Sequence, residues 1–190
     1  MSLRIVAGTH RGRMLRAPEG LDIRPTSARA RESLFNILAH ADFGLGGASP
    51  LAGARVLDAF AGVGALGIEA LSRGAAHCTF MDKSPVAVRA IGDNLRMLKE
   101  TERALVLRAD ATQPQPSRQP CSLCFLDPPY RSGDGPKAMA GLARAGWLAP
   151  GAVVTLELAR TEDAEAPPGF VQVDERRYGA AKILIYRCDG

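Results

Sequence analysis

The segment that most constrains the fold is VLDAFAGVGALG, residues 56–67. An apolar run ends in an acid and passes into glycines spaced G-x-G-x-x-G, after which the sequence becomes helical in character. Glycines at this spacing allow a tight strand-to-helix turn and let a ligand approach the backbone. The segment therefore predicts a buried β-strand, a glycine loop and a helix, which together form the first unit of a ligand-binding α/β sheet.

The same alternation of apolar strands and helices continues towards the C-terminus. Apolar strands joined by helices indicate a mostly parallel sheet with helices on both faces. A terminal hairpin at 171–187 is predicted to add an antiparallel strand at or near one edge, and the proline-rich segment 112–120 leaves room only for a very short crossover helix. The predicted strands are 54–60, 77–82, 104–110, 122–127 and 153–158, and the predicted helices are 65–73, a helix capped by Ser84 and Pro85, and 136–145.

The first forty residues differ from the rest of the chain in charge. They hold seven arginines against three acids, and this excess of four equals the net charge of the whole protein, +4. Short apolar runs at 3–7 and 13–16 predict a β-hairpin, and Pro25, Thr26 and Ser27 are predicted to begin a helix, with a loop at 44–53. A basic arm on a neutral body is typical of contact with phosphates, but many basic termini are only solvated, so both interpretations stay open.

Composition excludes several classes of protein. A chain of 190 residues with 46% hydrophobic residues is long enough for one domain with its own core. No apolar run approaches the roughly 20 residues of a membrane span, and no secretory leader is recognisable, so we expect a cytoplasmic protein. Cys121 and Cys124 form a C-x-x-C inside an apolar strand without a second pair, which predicts buried strand cysteines and no metal site.

Four aspartates fall at or near the ends of successive predicted strands: Asp58, Asp82, Asp110 and Asp127. Ligands of open α/β sheets bind beyond the carboxyl ends of the strands, so we expect these acids to form a row along the binding edge. Asp82 is suited to accept the two hydroxyls of a ribose, and Asp110 to accept the amino group of an adenine. Both roles fit a dinucleotide and S-adenosylmethionine equally.

Asp58 distinguishes these two ligands. It lies inside the end of its strand, where its charge would repel a pyrophosphate and attract the ammonium and sulfonium of S-adenosylmethionine. The alternative is that Asp58 is an ordinary strand-end acid and that Gly67 completes the glycine spacing by chance. A glycine loop followed by acids after successive strands nevertheless favours S-adenosylmethionine over a nicotinamide dinucleotide.

The fourth predicted strand ends in Asp127-Pro128-Pro129-Tyr130. Two prolines fix φ and remove two N–H donors, which leaves the Asp127 carboxylate and the Pro128 carbonyl as acceptors. The exocyclic amine of a base carries two N–H donors that match these acceptors, and Tyr130 offers a face for an unstacked base. We predict that these residues hold the amine that receives a methyl group, while an ordinary strand-ending turn is the alternative.

Four segments together resemble the RsmD family of class I S-adenosylmethionine-dependent methyltransferases, which modify guanine N2 in bacterial 16S ribosomal RNA. They are RIVAGTHRGRMLRAPEG, RPTSARARESLFNIL, LDAFAGVGALGIEALSRGA and FLDPPY, in the same order over nearly the whole chain. The resemblance implies a Rossmann-like α/β fold: a mostly parallel seven-stranded sheet, helices on both faces and an N-terminal β-hairpin extension. We accordingly predict a basic hairpin extension at 1–24 and a methyltransferase domain at 25–190.

Carried over by position, the resemblance implies further roles. The cofactor would be S-adenosylmethionine, with S-adenosylhomocysteine as product and no metal. The chain departs from the family at Asp82, where the family commonly has the longer Glu, and the shorter acid should still bind a ribose. The implied cofactor-binding residues are Asp58, Ala59, Gly62, Gly64, Asp82, Lys83, Asp110, Ala111 and Asp127, and the implied RNA-binding residues are Arg4, His10, Arg11, Arg13, Arg24, Thr26 and Arg29.

We therefore predict an enzyme that methylates guanine N2 in 16S ribosomal RNA, within a small-subunit particle, as a monomer and without a membrane partner. Adenine N6 in DNA or RNA and a glutamine side chain stay open as acceptors, because the same oxygen atoms suit all three amines. A glutamine-modifying enzyme would not need the basic arm. A non-catalytic RNA-binding protein of the same fold and an NAD-dependent oxidoreductase are less favoured, since neither accounts for the whole row of acids.

Overall fold

The computed structural model describes residues 3–18, 28–43 and 49–189, and for residues 28 and 29 only the backbone. Within these ranges, no helix combines the length and the apolar character that crossing a membrane requires. A single 3₁₀ turn is described, at Thr101–Arg103. The strands are β1 (Leu3–Arg4), β2 (Met14–Leu15), β3 (Arg55–Ala59), β4 (His77–Asp82), β5 (Ala104–Arg108), β6 (Cys121–Leu126), β7 (Leu148–Ala159), β8 (Phe170–Tyr178) and β9 (Ala181–Cys188), and the helices are α1 (Ala28–His40), α2 (Ala65–Ser72), α3 (Pro85–Leu98) and α4 (Asp134–Arg144).

Seven of the strands form one sheet, in the order β5-β4-β3-β6-β7-β9-β8. The first five strands in this order are parallel, whereas β9 runs antiparallel to both β7 and β8. The strand order reverses at β3, because β4 and β5 extend the sheet on one side and β6 on the other. The predicted seven-stranded sheet and its terminal hairpin are confirmed, and the switch in strand order lies beside the glycine loop.

A hydrophobic core lies on each face of the sheet. Phe35 of α1 and Ile68 of α2 are buried in the first core together with residues of α3, and Leu142 of α4 is buried in the second. Side chains alternate along a strand, so Val56 belongs to the first core and Leu57 to the second. The prediction that helices cover both faces of the sheet is therefore confirmed.

Local sequence accounts for where two helices begin. α3 begins after Ser84, whose Oγ accepts a hydrogen bond from the Ala87 N–H at 3.4 Å, and Pro85 occupies its first turn. A proline at this position has a suitable φ and lacks an N–H that would otherwise go unpaired. α2 begins after Gly64, whose φ of 81° is the left-handed conformation that glycine adopts readily. Both starts agree with the sequence-based predictions.

β7 is longer than predicted. It spans Leu148–Ala159, whereas the apolar pattern indicated only residues 153–158. Its first four residues, LAPG, include a proline and a glycine, which are rare inside strands. The pairing with β6 shifts register at this point, so the early part of β7 is an irregular extension that periodicity does not detect.

The connection from β5 to β6, residues 109–120, contains no helix. It is held by hydrogen bonds to the segment between α4 and β7. The Trp147 indole N–H donates to the Gln115 carbonyl at 2.8 Å, and the Ser117 N–H donates to the Ala145 carbonyl at 2.8 Å. The proline-rich sequence thus excludes a crossover helix, and side-chain and backbone bonds fix the loop instead.

The N-terminal hairpin is confirmed but short. β1 and β2 pair antiparallel through Leu3 with Leu15 and through Arg4 with Met14. The turn between them includes Gly8, whose φ of 82° favours glycine. The hairpin forms a separate two-stranded sheet and does not extend the large one.

Some predictions fall on residues outside the described ranges. They are the helix caps Pro25, Thr26 and Ser27, residues 44–48 of the loop at 44–53, and the boundary between residues 24 and 25 that separates the two predicted parts of the chain. These stay predictions. The described helix α1 agrees with the helix predicted to follow these caps.

Candidate active site

A cavity of about 240 Å³ lies at the carboxyl ends of β3 and β4, beside the glycine loop. The strand register sets the depth of the acids around it. Asp58 pairs with Phe80, two residues before Asp82 at the end of β4. Because a strand rises about 3.3 Å per residue, Asp58 lies about 7 Å below the rim of the sheet. Asp82 and Asp127, each at or just after the end of a strand, stand at the rim, and Asp58 forms part of the floor.

Most of the residues predicted to bind the cofactor line this cavity. Ala59 and Gly64 lie behind the lining, because Ala59 is buried in the second core and Gly64 caps α2. A Cβ added to Gly64 would lie 3.1 Å from the Phe80 ring, so glycine allows close packing there. The predicted residues on the lining are Asp58, Gly62, Asp82, Lys83, Asp110, Ala111 and Asp127.

Asp58 is a buried acid oriented by the helix after the glycine loop. It is 2% exposed, and its Oδ2 accepts a hydrogen bond from the Gly67 N–H at 2.8 Å. Burial raises the pKa of Asp58 well above its usual value, and the charges of Asp127 and Asp82 raise it further, while the Gly67 N–H opposes the shift. Gly67 has its own reason to be glycine, because a Cβ there would lie 2.4 Å from the Phe80 ring. Gly67 therefore does not complete the glycine spacing by chance, because its N–H orients Asp58 and its lack of a side chain leaves room for Phe80.

Asp82 joins the glycine loop to the start of α3. Its Oδ2 accepts a hydrogen bond from the Gly62 N–H at 2.9 Å, and its Oδ1 accepts one from the Ser84 N–H at 2.8 Å. Each carboxylate oxygen has a second lone pair, so both can still accept a hydrogen bond from a ligand hydroxyl. The shorter acid at this position is thus rigidly oriented at the rim.

Asp110 follows β5 and is exposed at the rim. Its Oδ1 accepts hydrogen bonds from the Thr112 hydroxyl at 2.7 Å and from the Thr112 N–H at 2.8 Å. These two bonds lower the pKa of Asp110 below its usual value, and the charge of Lys83 adds to the effect although partial burial opposes it. The Asp110 loop therefore has a defined local turn despite the prolines that follow it.

The Asp127–Tyr130 segment lies between the cavity and β7. Asp127 and Pro129 line the cavity, and Pro128 is buried. Tyr130 is half-buried, and its hydroxyl donates a hydrogen bond to Oε1 of Glu157 at 3.0 Å. Glu157 lies on β7 and is only 6% exposed, so the tyrosine ring is anchored by a buried acid. Sequence reasoning missed Glu157, although an acid inside the apolar run VVTLEL was a signal.

The N-terminal hairpin packs on α2 through buried polar side chains. Glu69 is fully buried and accepts hydrogen bonds from the N–H groups of Val6 at 2.8 Å and Ala7 at 3.0 Å. At the end of α2, the Ser72 Oγ accepts a hydrogen bond from the His10 N–H at 3.0 Å. The hairpin backbone is therefore fixed along the helix that begins at the glycine loop.

The predicted RNA-binding residues of the hairpin lie at two different distances from the cavity. Arg4, Arg11 and Arg13 are all exposed. Arg4 follows Leu3, which lines the cavity. The hairpin tip lies at the other end of α2, a helix of eight residues, and an α-helix of that length measures about 12 Å. Arg4 is therefore next to the cavity, whereas Arg11 at the tip lies about one helix length away.

The other predicted RNA contacts are His10, Arg24, Thr26 and Arg29. The Nε2 atom of His10 lies 2.5 Å from Oε1 of Glu100, so this ring nitrogen is engaged within the protein. Arg24, Thr26 and the side chain of Arg29 are outside the described residues, and their roles stay predictions.

Several residues on the cavity lining were not identified from the sequence. Among them are Leu3 of β1, Arg31 of α1 and Phe60. Phe60 has a φ of 61°, a conformation that costs a non-glycine residue about 1–3 kcal/mol and is often found at functional sites. Arg31 stands three residues before the buried Leu34 on the same helix, and this cation on an apolar stripe was the only signal.

The charges around the cavity fit one ligand chemistry better than the other. A positively charged group suits the Asp58 floor, and hydroxyl groups suit Asp82, whereas a pyrophosphate would meet acids from several strands. Cys121 and Cys124 are free and buried, as predicted. Among the residues that the structure describes, no cluster of three or more His, Cys, Asp or Glu side chains could hold a metal ion.

Comparison with known proteins identifies similar sequences and structures. Residues 3–187 match the family described as conserved hypothetical protein 95. The chain is 36% identical to ribosomal RNA small subunit methyltransferase D of Escherichia coli over 82% of this chain and 74% of that protein. It is 32% identical to the protein of the same name from Haemophilus influenzae, over 97% of this chain and 93% of that protein. The solved structure of a candidate methyltransferase of Escherichia coli, yhhF, superimposes with a TM-score of 0.82 at 34% identity, over 100% of this chain and 99% of that one.

Proposed function

We infer the function of this chain from its family, because it belongs to the RsmD family, which includes ribosomal RNA small subunit methyltransferase D. It is an S-adenosylmethionine-dependent methyltransferase. We propose that it transfers a methyl group to the N2 amine of a guanine in 16S ribosomal RNA. The observation that supports this most strongly is that the acids at or near the ends of four strands, together with Pro129 of the DPPY segment, line one cavity beside the glycine loop.

In this proposal the cavity binds S-adenosylmethionine through its acids. Asp82 accepts hydrogen bonds from the ribose hydroxyls, and Asp110 accepts a hydrogen bond from the adenine amino group. Asp58 lies below the glycine loop and attracts the positive charge of the methionine part, which its buried position makes effective. Gly62 has open space beside its Cα and lets the ligand approach the loop backbone.

The proposed acceptor site uses oxygen atoms and an aromatic face. The Asp127 carboxylate and the Pro128 carbonyl accept the two N–H groups of the guanine amine and so orient its nitrogen towards the cavity. Tyr130 supports the base, and its hydrogen bond to Glu157 fixes the ring. S-adenosylmethionine supplies the electrophilic methyl group when bound. The contribution of these residues is therefore mainly positioning, and Asp127 is placed to accept the proton that the amine loses.

The proposed RNA partner fits the charge distribution. The exposed arginines of the hairpin add positive charge next to a neutral body, as phosphate contacts require. We propose an assembling small-subunit particle as the substrate and a monomer as the active form, working in the bacterial cytoplasm where ribosomal RNA is modified.

A methyl-incorporation experiment tests this function. Small subunits and naked 16S RNA are prepared from cells lacking this protein and incubated with labelled S-adenosylmethionine. Mass spectrometry of the digested RNA should then detect N2-methylguanosine in one or both substrates. N6-methyladenosine would replace the proposed acceptor, and incorporation no greater than in a sample saturated with S-adenosylhomocysteine would contradict the function.

A further inference from the structure

Arg31 is a buried cation on the lining of the cavity to which the family resemblance assigned no role. It is 2% exposed, so only an edge of the residue borders the cavity. Burial lowers the pKa of Arg31, although the nearby Glu69 carboxylate opposes this. An arginine keeps its charge even so, and a buried guanidinium requires anions or acceptors around it.

The contacts of Arg31 leave part of its guanidinium available. Its Nη2 donates a hydrogen bond to the Arg4 carbonyl at 2.5 Å. Its Nε lies 3.8 Å from Oε2 of Glu69, too far for a hydrogen bond, and makes no hydrogen bond to any part of the chain that the structure describes. A guanidinium has five N–H donors, so these contacts do not exhaust its capacity.

The surroundings of Arg31 show which part of the cavity it borders. Leu3, Ala65 and Leu66 line the cavity. Arg4 adjoins Leu3, and Glu69 lies one helical turn after Ala65 and Leu66. Arg31 therefore borders the cavity where the hairpin meets the start of α2. The other cation on the lining, Lys83, lies near Asp110 and lowers its pKa.

The charges of the proposed ligand leave one group without a partner. The acids of the cavity are suited to bind the ammonium, sulfonium, hydroxyl and adenine amino groups of S-adenosylmethionine. They would repel the α-carboxylate of the same ligand. A carboxylate at this end needs a cation, and charge-assisted hydrogen bonds from a guanidinium are strong and directional.

We propose that Arg31 binds the α-carboxylate of S-adenosylmethionine and S-adenosylhomocysteine. This inference depends on the proposed cofactor. Because Arg31 also bonds the carbonyl of Arg4, it links the occupied cavity to the first strand of the hairpin. Arg31 thus contacts the cofactor and not the RNA, although it belongs to the arginine-rich N-terminal region.

The test compares two ligands that differ by one carboxylate. S-adenosylhomocysteine and its decarboxylated analogue, S-adenosyl-3-thiopropylamine, are titrated calorimetrically into the wild-type protein and Arg31→Met. The variant should bind S-adenosylhomocysteine about 10- to 100-fold more weakly, as expected for losing a charge-assisted hydrogen bond. It should bind the decarboxylated analogue as the wild type does.

Arg73→Met is the matched control. The Arg73 Nε donates to the same Glu69 carboxylate at 2.8 Å, but Arg73 does not border the cavity. Its loss should leave the affinities for both ligands unchanged while disturbing the same buried acid. Arg31→Lys, which keeps the charge, provides a second variant if Arg31→Met does not fold, and it should retain a preference for S-adenosylhomocysteine over the analogue.

Several results would overturn the inference. Equal weakening of both ligands by Arg31→Met would give Arg31 a purely structural role. Unchanged affinity for S-adenosylhomocysteine in that variant, or equal affinity of the wild type for the two ligands, would contradict carboxylate binding. If the wild type bound neither ligand, the proposed cofactor itself would fail, which is a different outcome.

Discussion

The cavity edge and the N-terminal hairpin are both organised by carboxylates, but in opposite ways. At the cavity, backbone N–H groups of Gly62 and Gly67 fix the side chains of Asp82 and Asp58. At the hairpin, the side chain of Glu69 fixes the backbone of the segment that enters the turn. One region therefore presents rigid side chains to a ligand, whereas the other has a rigid backbone that carries exposed arginines.

This difference leads to separate expectations for substitutions in the two regions. Changes in the cavity should alter cofactor affinity or methyl transfer while the protein remains folded. Changes where the hairpin attaches to α2 should first reduce stability and RNA affinity. Four sets of variants test whether the two regions separate in this way.

The largest effect is expected at the cavity for Asp127→Ala. Removing an oriented polar group that acts on the reacting atoms commonly costs about 100- to 1,000-fold in rate. Methyl incorporation into RNA should fall by that factor, while the affinity for S-adenosylhomocysteine changes little. Asp93→Ala, which removes an exposed acid of α3, serves as control and should retain full activity. Equal activity of Asp127→Ala and the wild type would remove Asp127 from the acceptor site.

The next largest effect is expected at the hairpin for Gly8→Ala. A Cβ at Gly8 would lie 1.8 Å from the Ser72 carbonyl oxygen, so the hairpin could not keep its place on α2. We expect a loss of about 2–5 kcal/mol in the free energy of unfolding, from overpacking together with the cost of a left-handed alanine. Denaturant titration measures this loss.

Gly12→Ala is the matched control for Gly8→Ala. Its φ of 84° is almost the same as the 82° of Gly8, but no heavy atom lies within 4 Å of a Cβ added there. Only the backbone cost of about 1–2 kcal/mol should remain. If the two variants were equally stable, the hairpin would not be fixed through Ser72. A rigid backbone would then no longer distinguish the hairpin from the cavity.

Asp58→Asn should show an intermediate effect that depends on pH. The buried carboxyl has a raised pKa in the folded protein. At about pH 3 it is protonated in both the folded and unfolded states and contributes nothing to pH-dependent stability. As pH rises, the unfolded chain loses this proton first, so the free energy of unfolding falls until the folded group also ionises.

Asparagine does not ionise, so the free energy of unfolding of the Asp58→Asn variant does not fall in this way as pH rises. This variant should therefore be more stable than the wild type at about pH 7 and similar to it at about pH 3, as measured by thermal unfolding. Its affinity for S-adenosylhomocysteine should drop about tenfold at about pH 7, because an opposite charge commonly shifts a carboxyl pKa by one unit or more. A variant less stable than the wild type at both values would contradict the assignment of Asp58 as a buried acid whose pKa is raised.

The smallest effect is expected for Arg11→Ala at the exposed tip of the hairpin. Loss of one phosphate contact should weaken RNA binding a few-fold and lower the salt dependence by about one unit of slope. Filter binding at several salt concentrations measures both quantities. Arg144→Ala, on α4 and the opposite face of the sheet, should change neither. The same slope for Arg11→Ala and the wild type would place the tip outside the RNA interface.

Much of the cavity could be predicted because its residues have local signals. Asp82, Asp110 and Asp127 follow apolar runs that are recognisable as strands, and a parallel sheet brings the carboxyl ends of its strands to one edge. The depth of Asp58 could not be predicted, since it depends on the register with β4. The sequence pattern thus indicated which acids share the edge but not that one of them forms the floor.

The attachment of the hairpin could not be predicted for a different reason. Glu69 is paired with backbone N–H groups 62 and 63 residues away, and a backbone group has no sequence signature. The anchoring of Tyr130 by Glu157 depends on where β7 lies in the sheet, which the sequence alone did not locate. Arg31 was given no role from the sequence, because the charge of an arginine does not show that its side chain is buried.

The most direct test of this account is a crystal structure of the protein with S-adenosylhomocysteine. The ligand should occupy the cavity, with its ribose hydroxyls on Asp82, its amino group nearest to Asp58 and its sulfur facing Asp127. A ligand bound elsewhere, an empty cavity at saturating concentration, or an Asp127 side chain turned away from the sulfur would contradict it.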